Sequence, residues 1–401
     1  MQELKNVIKK IGIKNIENKN VLFLQGPMGF FFNNLSIFIN KNYKSKVFNI
    51  AYNGGDEYFL NNPIPIIGNN EKIITKTIEL IQKEKINSIF LLGDEREIHS
   101  YIIKWKEENN IELNIYVFEE GYFRPNYITI EENGVNNNST LDLSYETLKK
   151  LDLKDLENRY EEPENIKEPY KHMAWQATMY YFFSTLKYIK YNQYTHHRDS
   201  SIINEGYYGA INFLKLKYYK LKERKHIDYI SETITNNFIF FPLQVESDFQ
   251  IKKHSPFNNI EESIHEFFRL YTKYNSTEYI VIKHHPMDRG KNDYNKIIRL
   301  NAIKFNIDLK KIMYIYDVDL PTCLKHAKKC ITVNSTVGLS ALIHELPVFL
   351  MGEANYNIKT ITNTEIDFFT NVKQPDMDLF NKLKYTIIEA TQVNGSFYKE
   401  L

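Results

Sequence analysis

Five short segments of this 401-residue chain gather side chains that could do chemistry. Glu119-Glu120-Gly121 sets two adjacent carboxylates before a glycine. Neighbouring acids raise each other's proton affinity, which suits a general acid or base, and the same pattern also fits a solvated turn. In Lys283-His284-His285-Pro286, side-chain alternation puts Lys283 and His285 on one side, where they could hold an anion. The histidines could instead be metal ligands or core residues, although no second Cys/His cluster has ligand spacing. Asn334-Ser335-Thr336-Val337-Gly338 precedes an apolar helical run, so Ser335 or Thr336 reads as a helix cap whose free N–H groups also suit a phosphate. Asp248 is a nucleophile candidate or the acceptor of an Asx turn. Asp317-Val318-Asp319 imitates a metal-binding pair, yet it stands directly before Leu320-Pro321, where aspartate caps helices.

Each segment follows an apolar run of strand length. Val21–Gln25, Lys46–Ala51, Ser88–Leu92 and Asn114–Phe118 alternate with helical stretches near Lys72–Glu84 and Glu95–Glu108. A second series runs through Phe238–Leu243, Tyr279–Lys283, Met313–Tyr316, Lys329–Val333 and Pro347–Met351. Strands alternating with helices predict two mostly parallel, doubly wound α/β sheets, whose ligands sit outside the carboxyl ends of the strands. The expected organisation is a Rossmann-like domain over 1–140, a helical insertion over 141–235, a second Rossmann-like domain over 236–375, and a C-terminal helical segment, 376–401, returning toward the first domain.

Composition narrows the partners. Lys and Arg number 51 against 50 for Asp and Glu, a net charge of +1, so no global field draws nucleic acid and any anion site is local. Apolar residues at 43% and charged residues at 25% exclude disorder over most of the chain. Cys323 and Cys330, seven positions apart, would stand about 10 Å apart on a helix, too far for a disulfide, as expected of a reduced cytoplasmic protein. The N-terminus has no apolar stretch of a secretion signal, and Met173–Leu186 falls short of a membrane span. Phe213–Lys225 interleaves six basic residues with leucine and tyrosine around the lone acid Glu223, a pattern of an interfacial segment or of a solvated helix with its aromatics packed inward.

Seven ordered motifs, LQGPMG (24–29), NGGD (53–56), FEEGYFRPNYIT (118–129), LQVESDFQI (243–251), KHHPMDRG (283–290), NSTVGLSALIH (334–344) and TQVN (391–394), resemble the capsular polysaccharide β-Kdo transferases of KpsS type from Gram-negative bacteria. The resemblance implies a GT-B fold, CMP-Kdo as donor and (lyso)phosphatidylglycerol as acceptor. It implies a retaining reaction with no cofactor, at the cytoplasmic face of the inner membrane and beside other capsule assembly and export proteins. The lack of a ligand cluster and the capping position of Asp317 and Asp319 add the expectation that it is metal-independent. By the same resemblance Asp248 is the nucleophile, Glu120 with Glu119 the acid/base, and His285 the holder of the leaving phosphate. Lys283, His284, Pro286, Asn334, Ser335, Thr336 and Gly338 bind the donor, and Gly26, Met28, Gly29, Asp56 and Arg124 line the acceptor side. Related readings are a CMP-sialate transferase, a CDP-glycerol phosphotransferase and a non-catalytic export adaptor.

Overall fold

The computed structural model describes residues 2–166, 170–195, 202–246 and 248–399. The chain divides into two compact units: 1–141 with 159–206 and 386–401, and 142–158 with 207–385. The helical stretch expected as one insertion is thus shared between the units, and the last sixteen positions belong to the first.

The first unit is built on β1 (Asn20–Phe23), β2 (Lys46–Ala51), β3 (Ile64–Pro65), β4 (Ser88–Leu92), β5 (Asn114–Glu120) and β6 (Tyr127–Glu132), with β12 (Gln392–Asn394) added from the chain end. The strand order is β12-β6-β5-β4-β1-β2-β3. The run from β5 to β3 is parallel, with Val21 opposite both Val47 and Ser88, whereas β6 and β12 pair antiparallel at one edge. Helices cover the parallel strands on both faces, which is why those strands read as unbroken apolar runs. Phe23 meets Phe90 edge to face at 4.8 Å and Phe32 meets Phe118 at 5.1 Å, forming a core in which all four rings are buried.

The second unit holds β7 (Phe238–Pro242), β8 (Tyr279–Lys283), β9 (Ile312–Ile315), β10 (Lys329–Thr332) and β11 (Val348–Leu350) in the order β11-β10-β7-β8-β9, all parallel. In both units the chain winds outward from its first strand in two directions. The topological switch therefore falls between β1 and β4 in one unit and between β7 and β10 in the other, and the loops leaving those strands are where a ligand crevice forms. Among the described residues no helix is long and apolar enough to cross a membrane, and Cys323 and Cys330 are free and buried.

Candidate active site

The switch point of the first unit is closed by a polar network. Gln25, directly beyond β1, accepts from Arg96 Nη1 at 2.8 Å across the switch and donates through Nε2 to the Tyr194 hydroxyl at 3.1 Å and to Asp56 at 3.3 Å. Asp56 is buried and also accepts from the Tyr52 amide and the Tyr180 hydroxyl, each at 3.1 Å. Desolvation lifts its carboxyl to about 6 against these hydrogen bonds. Asn53 caps the helix Gly54–Phe59 by accepting from the Gly55 and Asp56 amides, which fixes Asp56 in the first turn. Asp56 is therefore a strut of the loop after β2. Gly26 and Gly29 are packing positions as well: a Cβ would stand 2.4 Å from the Phe32 ring at the first and 2.4 Å from the Gln176 side chain at the second. Met28 between them is half-buried.

Glu119 and Glu120 are the last two residues of β5, both half-buried. Glu119 accepts from the Glu120 amide at 3.0 Å, and a methyl group at Gly93 would lie 3.5 Å from its other oxygen. Gly93 is left-handed at φ +69°, so the chain leaving β4 turns beneath this carboxyl group. Burial raises the Glu119 carboxyl to about 7, the Glu120 charge adding to the rise, while the Glu120 amide, Arg124 and Arg96 oppose it. A carboxyl group poised near neutrality suits proton transfer. Arg124 is exposed, and its Nε donates to the Gly121 carbonyl at 3.3 Å. Arg96 drew no attention in the sequence, standing in the charged run Asp94–Glu97. Its place directly after the β4 turn is the signal that would have found it.

In the second unit the motif residues sort into braces and half-exposed groups. Lys283, expected beside His285 on a phosphate, is buried, and its Nζ donates to the Val318 carbonyl at 2.6 Å. Burial holds its ammonium below the usual lysine range. His284 is fully buried, bonded through Nδ1 to the Tyr314 hydroxyl at 2.6 Å and packed against the Tyr294 and Tyr316 rings; desolvation brings its imidazole down to about 4, so the neutral ring is a core group. Asn334 pairs with Gln244 across the switch, accepting at 2.9 Å, and its amide donates to the Gln250 and His254 carbonyls. Gly338 admits Tyr356, whose hydroxyl would stand 2.2 Å from a Cβ there. These four positions brace the loops, their polar atoms or contact faces engaged by protein partners.

What remains at the strand ends is a small set. His285 is half-exposed, and its Nδ1 accepts from the Met287 amide at 3.2 Å, which leaves the ring proton of the neutral form on Nε2; Pro286 beside it is exposed. Ser335 and Thr336 are half-exposed; Ser335 Oγ accepts from the Val337 amide at 3.2 Å and Thr336 stands at the N-cap of the helix Val337–Ile343 with no side-chain cap bond. Asp248 caps the helix Phe249–His254, accepting from the Gln250 amide at 2.9 Å. Asp248 thus leaves the loop after β7 while Ser335 and Thr336 leave the loop after β10, on either side of the switch. Asp319 is a helix cap with both oxygens engaged by Thr322, and Asp317 pairs with the buried Arg289 at 3.1 Å, so the two aspartates serve separate purposes.

Two Rossmann-type parallel-sheet units in one chain, each with candidate groups at its strand carboxyl ends, define the GT-B class of α/β protein. The sequence profile of the family described as "Capsule polysaccharide biosynthesis protein" matches residues 87–398, and the chain belongs to this family. It is 33% identical to the capsule polysaccharide modification protein LipB of Neisseria meningitidis serogroup A, over 99% of this chain and 96% of that protein. It is 31% identical to the capsule polysaccharide export protein KpsS of Escherichia coli, over 96% and 98%. Among solved structures it is similar to KpsC, beta Kdo 2,7 transferase, of Thermosulfurimonas dismutans, with a TM-score of 0.45 and 16% identity over 91% of this chain and 89% of that one.

Proposed function

We propose that this protein is a retaining β-Kdo glycosyltransferase that moves Kdo from CMP-Kdo to phosphatidylglycerol or its lyso form at the inner face of the bacterial inner membrane, starting the lipid linker of a capsule. The observation that carries the reading is the sorting of the motif residues. The acid pair, Asp248, His285, Ser335 and Thr336 are among the motif residues that stay half-exposed near strand carboxyl ends, and each has the chemistry that this transfer needs.

The anomeric carbon of Kdo is a ketal centre bearing a carboxylate, so its transition state is oxocarbenium-like and two displacements restore the starting configuration. The Asp248 carboxylate attacks that carbon as its bond to the phosphate oxygen breaks, and CMP departs with the electron pair. The Gln250 amide, donating to Asp248 Oδ1 at 2.9 Å, fixes the orientation of that carboxylate. His285, donating through Nε2, and the Ser335 and Thr336 hydroxyls stabilise the departing phosphate. The acceptor oxygen then attacks the anomeric carbon of the glycosyl-enzyme, and the ester bond to Asp248 breaks with its electron pair returning to that carboxylate. The hydroxyl proton passes to the Glu119–Glu120 pair, a proton transfer that contributes about 10²- to 10⁴-fold. The proposed steps involve no metal, a reading supported by Asp319 capping a helix and Asp317 being held by Arg289.

The test is to incubate the protein with fluorescent phosphatidylglycerol and, in parallel, CMP-Kdo, CMP-sialate or CDP-glycerol, and to read the product mass. Transfer from CMP-Kdo alone is the expected result. Turnover of one of the other donors would replace the substrate assignment, and no turnover of any would favour an export adaptor.

A further inference from the structure

From Tyr207 onward the helix Ile202–Lys222 belongs to the second unit and presents two different faces there. Its inner face straps the loop that carries His285. Asn212 Nδ2 donates to the Pro286 carbonyl at 3.0 Å, and Asn212 Oδ1 accepts from Arg289 at 3.2 Å. The backbone lies so close at Tyr208 that a Cβ on Gly290 would stand 2.2 Å from its carbonyl oxygen. Tyr219 stacks on Tyr316 at 3.9 Å, and Glu223, one residue past the helix, accepts from the amides of Tyr316, Asp317 and Val318 at 2.9, 2.7 and 3.3 Å.

The outer face is exposed and unlike an ordinary solvated surface. Leu214, Tyr218 and Leu221, at helical spacing, are 67%, 57% and 65% exposed, with Phe213 beside them. Lys217, Lys220, Lys222, Arg224 and Lys225 are exposed around them. Lys217 and Lys222 lie over the Phe213 and Tyr218 rings at 4.6 and 5.4 Å, so charge and apolar surface share one patch. From Tyr207 to Ile227 the one acid is Glu223, and it is buried against the loop after β9. The face is therefore purely basic and apolar. A second copy docking through a two-fold axis would set this positive face against itself, whereas an anionic lipid surface offers both an apolar layer and the opposite charge.

We propose that this outer face seats on an anionic bilayer, and that seating it steadies the His285 loop, making the helix a lipid-responsive brace. The functional value of that coupling rests on the phosphate role given to His285 above; the docking and the steadying do not. The experiment uses vesicles of equal parts phosphatidylcholine and phosphatidylglycerol, with phosphatidylcholine alone as the neutral arm. It reads co-sedimentation and hydrogen exchange of peptides spanning 284–291. The parent should bind the mixed vesicles, more weakly as salt rises, and exchange in that loop should slow severalfold. Joint Lys217→Glu, Lys220→Glu and Lys222→Glu should weaken vesicle binding by roughly 100-fold or more while thermal unfolding stays that of the parent. Asn212→Ala should bind vesicles like the parent but lose the slowing. Parent-like binding by the triple variant refutes the surface, as does self-association abolished by that variant in a protein that ignores vesicles. Unchanged exchange in a vesicle-bound parent refutes the coupling. Neither readout needs a sugar nucleotide, so an inactive donor assay would count against the transferase reading alone.

Discussion

Lys283→Met, set beside His285→Ala, separates bracing from substrate contact inside one motif. The Lys283 ammonium is buried and donates a hydrogen bond to the Val318 carbonyl at 2.6 Å. Glu223 and Asp317 favour its charge while burial and Arg289 oppose it. Methionine keeps most of the volume but leaves that carbonyl without its donor, and a hydrogen bond from a charged group is worth about 1.5–3 kcal/mol. Removing a desolvated charge returns part of this, so the net cost is about 1–3 kcal/mol. At about 2–4 °C per kcal/mol for a unit of this size, thermal unfolding should begin roughly 2–12 °C earlier. CMP affinity by calorimetry should stay within about twofold, since the ammonium faces protein. His285→Ala should do the reverse: an unchanged melting temperature, and CMP binding weaker by about tenfold or more for a lost hydrogen bond to a charged phosphate. A Lys283→Met protein that melts like the parent but binds CMP tenfold more weakly would refute the reasoning and return Lys283 to the phosphate.

Because burial raises the Glu119 carboxyl to about 7 and a base must be ionised, kcat/KM for transfer should fall as pH drops below about 7, and Glu119→Gln should flatten that limb of the profile. An unaltered limb in the variant would assign the titration elsewhere. Asp248→Asn should lower transfer by at least about 10³-fold with little change in stability, because asparagine caps a helix as well as aspartate does; near-parental turnover removes it from the nucleophile role. Asp319→Ala should cost about 1 kcal/mol of stability through the lost cap and leave transfer in EDTA equal to the parent's. A divalent-ion requirement that disappears in this variant would contradict the cap assignment. Gly338→Ala should destabilise the protein by about 1–3 kcal/mol, because its methyl meets the Tyr356 hydroxyl, and Tyr356→Phe should recover part of the loss in denaturant titrations.

The parallel strands were legible because strands covered on both faces must be apolar throughout, and the runs at 46–51, 88–92 and 279–283 coincide with β2, β4 and β8. The strand β6 was not, since Tyr-Ile-Thr-Ile-Glu-Glu alternates only in part, and β12 is a three-residue pairing made by the chain end. Motif spacing placed the chemistry at strand ends, which the alternation of strands and helices dictates. It could not divide the motifs into braces and open groups. That division depends on partners far along the chain: Val318 for Lys283, Tyr314 for His284, Gln244 for Asn334 and Tyr356 for Gly338. Glu223 was hidden for the opposite reason, as one acid in a basic run. Burial of a lone acid among cations is a signal that charge counting averages away.

The two switch points share a device that neither half of the sequence announces. Gln25, beyond β1, bonds Arg96, beyond β4; Gln244, beyond β7, bonds Asn334, beyond β10. Each glutamine bridges the two loops that diverge there, so each crevice is spanned by a side-chain hydrogen bond. A crevice fixed before substrate arrives keeps its donors aimed where charge develops, and little reorganisation is left for the reaction itself. This explains why so many motif residues are buried. Each unit also holds buried motif residues, Asp56 and Asn53 in one and Asn334 and Lys283 in the other, whose bonds to backbone atoms fix the loops at the strand ends. For the proposed transfer those braces would matter to the reaction geometry as the reacting groups do, and a motif holds both kinds of residue without distinguishing them.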